Sequence, residues 1–101
     1  MVVLLSTAAG LVAAGRREPT SREVVVKAVT FTPGTLRAHV GDTVVWRNAD
    51  IVSHTVEHPG LFSSGDIASG ERYRWVPTDT GVVRYRCTIH ERMRGEIAVD
   101  P

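Results

Sequence analysis

From Glu23 onward the chain has no long helical period; its apolar residues come in short β-branched or aromatic runs, each cut off by turn residues. The runs are residues 24–29, 35–40, 43–47, 53–57, 72–76, 82–87 and 96–99. Pro33-Gly34 and Gly41-Asp42 separate the first three cleanly, because such pairs stop a strand and turn the backbone. Seven or so short strands in one small chain predict an all-β sandwich. Residues 59–70, rich in Gly and Ser, read as irregular.

Alternation assigns faces, since successive strand side chains point to opposite sides. In Arg72-Tyr73-Arg74-Trp75 the aromatics share one face and the arginines the other. In residues 82–87 the inward set is Val83, Tyr85 and Cys87, so the cysteine leaves its strand on the core side. Thr78-Asp79-Thr80-Gly81 reads as a tight connection that makes these two runs an antiparallel hairpin, with Arg72, Arg74, Arg84 and Arg86 on its outer, solvated face.

At 101 residues the chain holds one domain with one modest core. A net charge of +1 provides no strong field for nucleic acid or anionic lipid. Cys87 is the single cysteine, so no intrachain disulfide can form and the core must hold the fold. Residues 1–15 are uncharged and apolar and reach Arg16-Arg17 through small residues that include Ala13 and Ala14. They read as an export segment or an N-terminal membrane tether, short of the ~20 residues that span a bilayer. The expected division is residues 1–22 as signal or anchor plus linker, and residues 23–101 as the folded domain.

Within Cys87-Thr88-Ile89-His90-Glu91-Arg92-Met93 a thiol, an imidazole and a thioether recur at every third position. A thiolate and a thioether are soft donors and an imidazole is intermediate, a mixture that suits copper cycling between Cu(II) and Cu(I). His54, in the 53–57 run, adds the second imidazole of a trigonal site. The expected metal ligands are therefore His54, Cys87, His90 and Met93. His39 needs no role beyond a surface or half-buried position, and His58 fits a position near the site or at the surface better than ligation.

These residues carry a resemblance. Val40-Gly41-Asp42-Thr43-Val44-Val45-Trp46-Arg47-Asn48, Ser53-His54-Thr55-Val56 and the stretch from Gly81 through Cys87, His90 and Met93 to Val99 resemble the cupredoxins (blue copper proteins) of the plastocyanin and amicyanin type. The two-residue gap between His90 and Met93 is similar to the shorter, amicyanin-like ligand loop, and Glu91 stands where such loops often have proline. The resemblance implies a cupredoxin-like Greek-key β-sandwich of about seven to eight strands with one copper ion at one end. It implies a non-enzymatic, monomeric type 1 copper protein that passes single electrons between redox proteins by transient contact, in the periplasm or elsewhere outside the cytoplasm. It further implies hydrogen bonds near the ligands from the Asn48 region and from the amide of Thr55.

Other readings of the same residues are an extracytoplasmic copper carrier or buffer, a structural zinc site on Cys87, His90 and His54, and a metal-free adhesion sandwich. A cysteine nucleophile paired with His90 has only Asn48 to orient it, whereas such sets are normally assembled from distant segments with a dedicated third group.

Overall fold

The computed structural model describes residues 17–101, so the expected export segment lies outside the described residues. Nine strands are present among the described residues: β1 (Ser21–Lys27), β2 (Thr30–Thr32), β3 (Thr35–His39), β4 (Thr43–Asn48), β5 (Glu57–His58), β6 (Phe62–Ser63), β7 (Arg72–Trp75), β8 (Gly81–Arg86) and β9 (Arg94–Asp100). They form two mixed sheets, ordered β2-β1-β4-β7 and β3-β9-β8-β5-β6, packed as a sandwich. Strands β1 and β4 run parallel, as do β3 and β9.

The inward positions follow the period of two. Val24 and Val26 of β1 and Val44 and Trp46 of β4 are fully buried and meet Tyr85, Ile97 and Val99 from the facing sheet. Trp46 packs edge-on against Tyr85 at 5.2 Å between ring centroids and at a tilt against Phe62 at 5.5 Å. Phe62 in turn packs at a tilt against Trp75, 4.8 Å between ring centroids. An indole held on so many sides fixes the spacing between the sheets, because interiors packed to crystal density do not tolerate shifts cheaply.

The structure corrects the expected hairpin between residues 72–76 and 82–87. Strand β7 pairs with β4, and β8 pairs with β9, so the intervening segment crosses from one sheet to the other. Local proximity lost to burial: Tyr73 and Trp75 on one sheet and Tyr85 on the other cover opposite sides of one core, which a flat hairpin could not achieve. Arg72 and Arg74 therefore lie on one outer face and Arg84 and Arg86 on the other. The run 53–57 is not a strand either; His54 makes an isolated bridge with Ile67, and regular pairing begins at Glu57.

The first run ends at Lys27, where Ala28 and Val29 form the two-residue turn of the β1–β2 hairpin. Both have left-handed φ values, 53° and 55°. Two-residue hairpins demand this conformation, normally from Asn-Gly, and it costs an ordinary L-residue roughly 1–2 kcal/mol.

The ends of β1, β4 and β8 and the start of β9 gather at one pole of the sandwich. At the other pole the chain approaches β1 through Thr20, whose N–H donates to the carboxylate of Asp42 at 2.9 Å. Asp42 is fully buried, and it also accepts the His39 N–H and lies near Arg17 and Arg22. Burial pushes its carboxyl up, but these amides and guanidiniums outweigh that and hold it below the usual range.

Candidate metal centre

Cys87 follows the last residue of β8 and is 1% exposed, so the strand delivers its thiol to the core side of the first pole. Residues 87–93 then close on themselves. The Cys87 N–H donates to the Met93 carbonyl at 3.1 Å, and the Met93 N–H donates to the His90 carbonyl at 2.9 Å. This double closure turns His90 back toward Cys87, while Met93 is buried at 3% exposure. Thr88, Ile89, Glu91 and Arg92 are left facing solvent.

His54 is fully buried and is brought in from the other side. Its backbone exchanges two hydrogen bonds with Ile67, at 3.1 and 2.7 Å. Asn48, buried at the end of β4, donates its side-chain amide to the carbonyls of Val52 and Ile67, each at 2.8 Å, and accepts the Asp50 N–H at 2.9 Å. One side chain thus ties the loop before His54 to the segment beneath it. This is the part Asn48 plays; it does not touch the ligand atoms.

The imidazole of His54 is oriented by Asp50, whose Oδ2 lies 2.7 Å from Nε2. The same carboxylate accepts the N–H groups of Ala28 at 2.6 Å and Val29 at 3.0 Å. Burial pushes this carboxyl up, but the Val29 amide, the His54 ring and the Ala28 amide outweigh it and hold the group below its usual range. With Nε2–H donating to an anion, the lone pair of His54 sits on Nδ1.

That Nδ1 is 4.0 Å from Cys87 Sγ, and Nδ1 of His90 is 3.7 Å from the same sulfur. Donor atoms of all three side chains lie within 4.8 Å of one another. Bonds of about 2.0 Å to nitrogen and about 2.3 Å to sulfur, opened to a trigonal angle, place the two donors about 3.7 Å apart. The residues therefore fit one metal ion between them, and two imidazoles, a thiolate and a thioether are the set that copper uses. A tetrahedral structural zinc site would want a fourth His, Cys or carboxylate, and among the described residues this cluster has three.

The sulfur is held as an anion. Thr55 donates its N–H to Sγ at 3.3 Å, and its hydroxyl lies 3.8 Å from Sγ while accepting the Thr88 N–H at 2.7 Å. Burial alone would raise the thiol, but the Thr55 amide, the amide and ring of His90 and the amide of Ile89 bring it from its ordinary 9.0 to about 6. A depressed value in the folded state means that the thiolate stabilises the metal-free fold above the unfolded value and that this support vanishes as pH falls through the folded one. Thiolate absorbance of the metal-free protein should titrate with a midpoint of about 6, accompanied by a falling denaturant midpoint on the acid side. A midpoint near 9 would contradict this donor arrangement.

No family model matches the chain, and no curated protein matches it. Solved structures do. The purple cupredoxin from Nitrosopumilus maritimus superposes with a TM-score of 0.72 at 26% identity, covering 78% of this chain and 99% of that one. Amicyanin, as the reduced Cu(I) form of a proline-to-glycine mutant, gives 0.75 at 26% identity over 87% and 89% of the two chains. The described domain has the cupredoxin fold. A copper-containing nitrite reductase from Thermus scotoductus also matches, at 0.74 and 30% identity, but this chain spans only 23% of it.

In this fold His54, Cys87, His90 and Met93 form a type 1 copper site. The remaining imidazoles stand apart from the ligand cluster. His39 is half-buried with Nδ1 3.8 Å from Asp42, and His58 is bonded through Nδ1 to the Arg84 carbonyl at 2.6 Å. The Thr55 amide reaches the sulfur as the resemblance implied. Sequence reasoning missed Asp50; its only signal was an acid four residues before the histidine.

Proposed function

We propose that this cupredoxin is an electron carrier that passes single electrons between redox partner proteins outside the cytoplasm, without catalysing a reaction of its own. The observation that carries the reading is the placement of His90. Its ring is half-buried while the other donors are sealed, and it sits on a loop whose neighbour Ile89 is 51% exposed. Ile51, 94% exposed, and Val52, 45% exposed, stand on the loop that leads to His54. Exposed apolar side chains on both ligand-bearing loops provide a contact surface of the small, weak kind that transient electron-transfer partners use.

Bound copper supplies a Cu(II)/Cu(I) couple. The protein's part is to hold the donors still when the charge changes. Asn48 locks the His54 loop, the Met93 and His90 backbone bonds lock the ligand loop, and Thr55 bonds the sulfur, so little reorganisation accompanies transfer. Export is supported by the apolar residues 1–15, and the chain approaches the sandwich at the pole opposite the copper ligands. A tether at that pole leaves the electron-transfer end free.

The test is retention against release. Protein loaded with cupric ion should show an intense red thiolate-to-copper band, bleach on one-electron reduction, and keep the cuprous ion against a chelator. Rapid loss of the cuprous ion would instead make the protein a copper carrier or buffer.

Arg92 and Arg94 are exposed beside the ligand loop and make no ion pair among the described residues. They should steer an acidic partner. An Arg92→Glu, Arg94→Glu double variant is expected to accept electrons about tenfold more slowly from an acidic donor at low ionic strength, with the difference vanishing in high salt. Stopped-flow rates across a salt series check it; equal rates at low salt remove the steering role.

A further inference from the structure

We propose that the Ala28-Val29 turn and Asp50 act as one positioning device for the copper ligand His54, setting which ring nitrogen binds copper and lowering the potential of the site. The proposal rests on the copper assignment above and adds to it residues from a hairpin remote in sequence.

The argument starts from an apparent misfit. A two-residue turn with φ of 53° and 55° is the place for Asn-Gly, and this chain has Ala-Val. The left-handed pair has a consequence whatever its side chains: both turn amides point the same way, into one carboxylate. Ala28 N–H reaches Asp50 Oδ1 at 2.6 Å and Val29 N–H reaches Oδ2 at 3.0 Å. Consecutive amides in such a turn form an anion-binding concavity. Asp50 is therefore gripped from outside by the hairpin, and from its own loop by the bond from its N–H to Asn48.

A carboxylate so fixed has one direction left in which to act. Its Oδ2 faces His54 Nε2 at 2.7 Å, and the ring it holds is fully buried. The Nε2 proton is thereby kept on the Asp50 side and Nδ1 is presented to the sulfur of Cys87. A carboxylate behind a ligating histidine also raises the basicity of the ligand, which favours the more highly charged ion. Strained backbone gathers where the surrounding structure uses it, and here that use is the support of a metal ligand from 26 residues away.

The test uses the full chain loaded with copper. Asp50→Asn keeps the size of the side chain and removes its charge. It should lower cupric affinity about 10- to 100-fold and raise the reduction potential; a tenfold loss of cupric over cuprous binding corresponds to about 59 mV. An Ala28→Asn, Val29→Gly double variant keeps both turn amides in a relaxed conformation, so it should resist denaturant better and leave the potential and the red band unchanged. In the diamagnetic cuprous wild type, nitrogen-15 spectra should show a slowly exchanging proton on Nε2 of His54. That measurement decides the matter even if Asp50→Asn does not fold. A proton found on Nδ1, or an Asp50→Asn protein with wild-type affinity and potential, overturns the proposal and leaves the copper assignment standing. Wild-type protein that takes up no copper would remove both.

Discussion

Replacing Cys87 by serine is expected to abolish the red absorption of the cupric protein and to weaken copper binding by more than the ~10- to 100-fold that loss of an outer partner costs. The reason lies in what remains. Without the thiolate, the pole keeps two imidazoles and a thioether, and among the described residues no anionic donor faces them, because Asp50 is committed to the far side of the His54 ring. The alcohol of serine does not ionise in the range where this thiol does, so the charge that neutralises part of the bound ion is lost outright. The fold itself should survive. The serine hydroxyl can still accept the Thr55 N–H, and the chain around it is closed by backbone bonds that need no side chain, Cys87 to Met93 and Met93 to His90. Circular dichroism should match the wild type while the visible spectrum is blank. A variant that keeps an intense red band would show that the sulfur of Cys87 is not a ligand.

The four ligands were readable from the sequence because their chemistry is rare. Few requirements other than a soft metal place Cys87, His90 and Met93 at every third position beside a β-branched run, and the strand parity of Val83, Tyr85 and Cys87 already pointed the thiol inward. The sandwich was readable from the rhythm of short runs and turn pairs. What was hidden depends on partners distant in sequence. Period-two patterns need several residues to register, so the two-residue strands β5 and β6 left no trace. Which strand β7 pairs with is decided by the shared aromatic core and not by the nearest neighbour in the chain, and the hairpin expectation failed for that reason. Asp50 was silent because an acid four residues from a histidine is common. Its significance comes from a turn 21 and 22 residues earlier that has no sequence signal for its conformation.

Gly95 leads to a sharp expectation of its own. A glycine two residues after Met93 invites an explanation from backbone freedom, as the point where the chain turns into its last strand. Its φ lies outside the left-handed region, and it sits inside β9 directly opposite Tyr85. What it provides is space: a Cβ at this position would fall well inside contact distance of the Tyr85 hydroxyl and ring. That ring cannot swing clear, since it is 2% exposed and wedged edge-on between Phe31 at 4.8 Å and Trp46 at 5.2 Å. Gly95→Ala should therefore cost about 1–3 kcal/mol as an overpacked core does, which lowers the melting temperature of a domain of this size by roughly 4–8 °C per kcal/mol. Because Tyr85 stands near the end of β8, two residues before Cys87, the displaced ring should also shift the red band. Gly34 provides the contrast within the same chain. It has open space where a Cβ would stand and a φ outside the left-handed region, so Gly34→Ala should be neutral or raise stability by about 0.4–1 kcal/mol through the unfolded state. Thermal melts of the two variants side by side should separate, with Gly95→Ala below the wild type and Gly34→Ala at or above it. Equal behaviour would mean that Tyr85 does not occupy the space over Gly95, and that the Trp46–Tyr85 contact does not set the separation of the sheets at the end of the sandwich that carries copper.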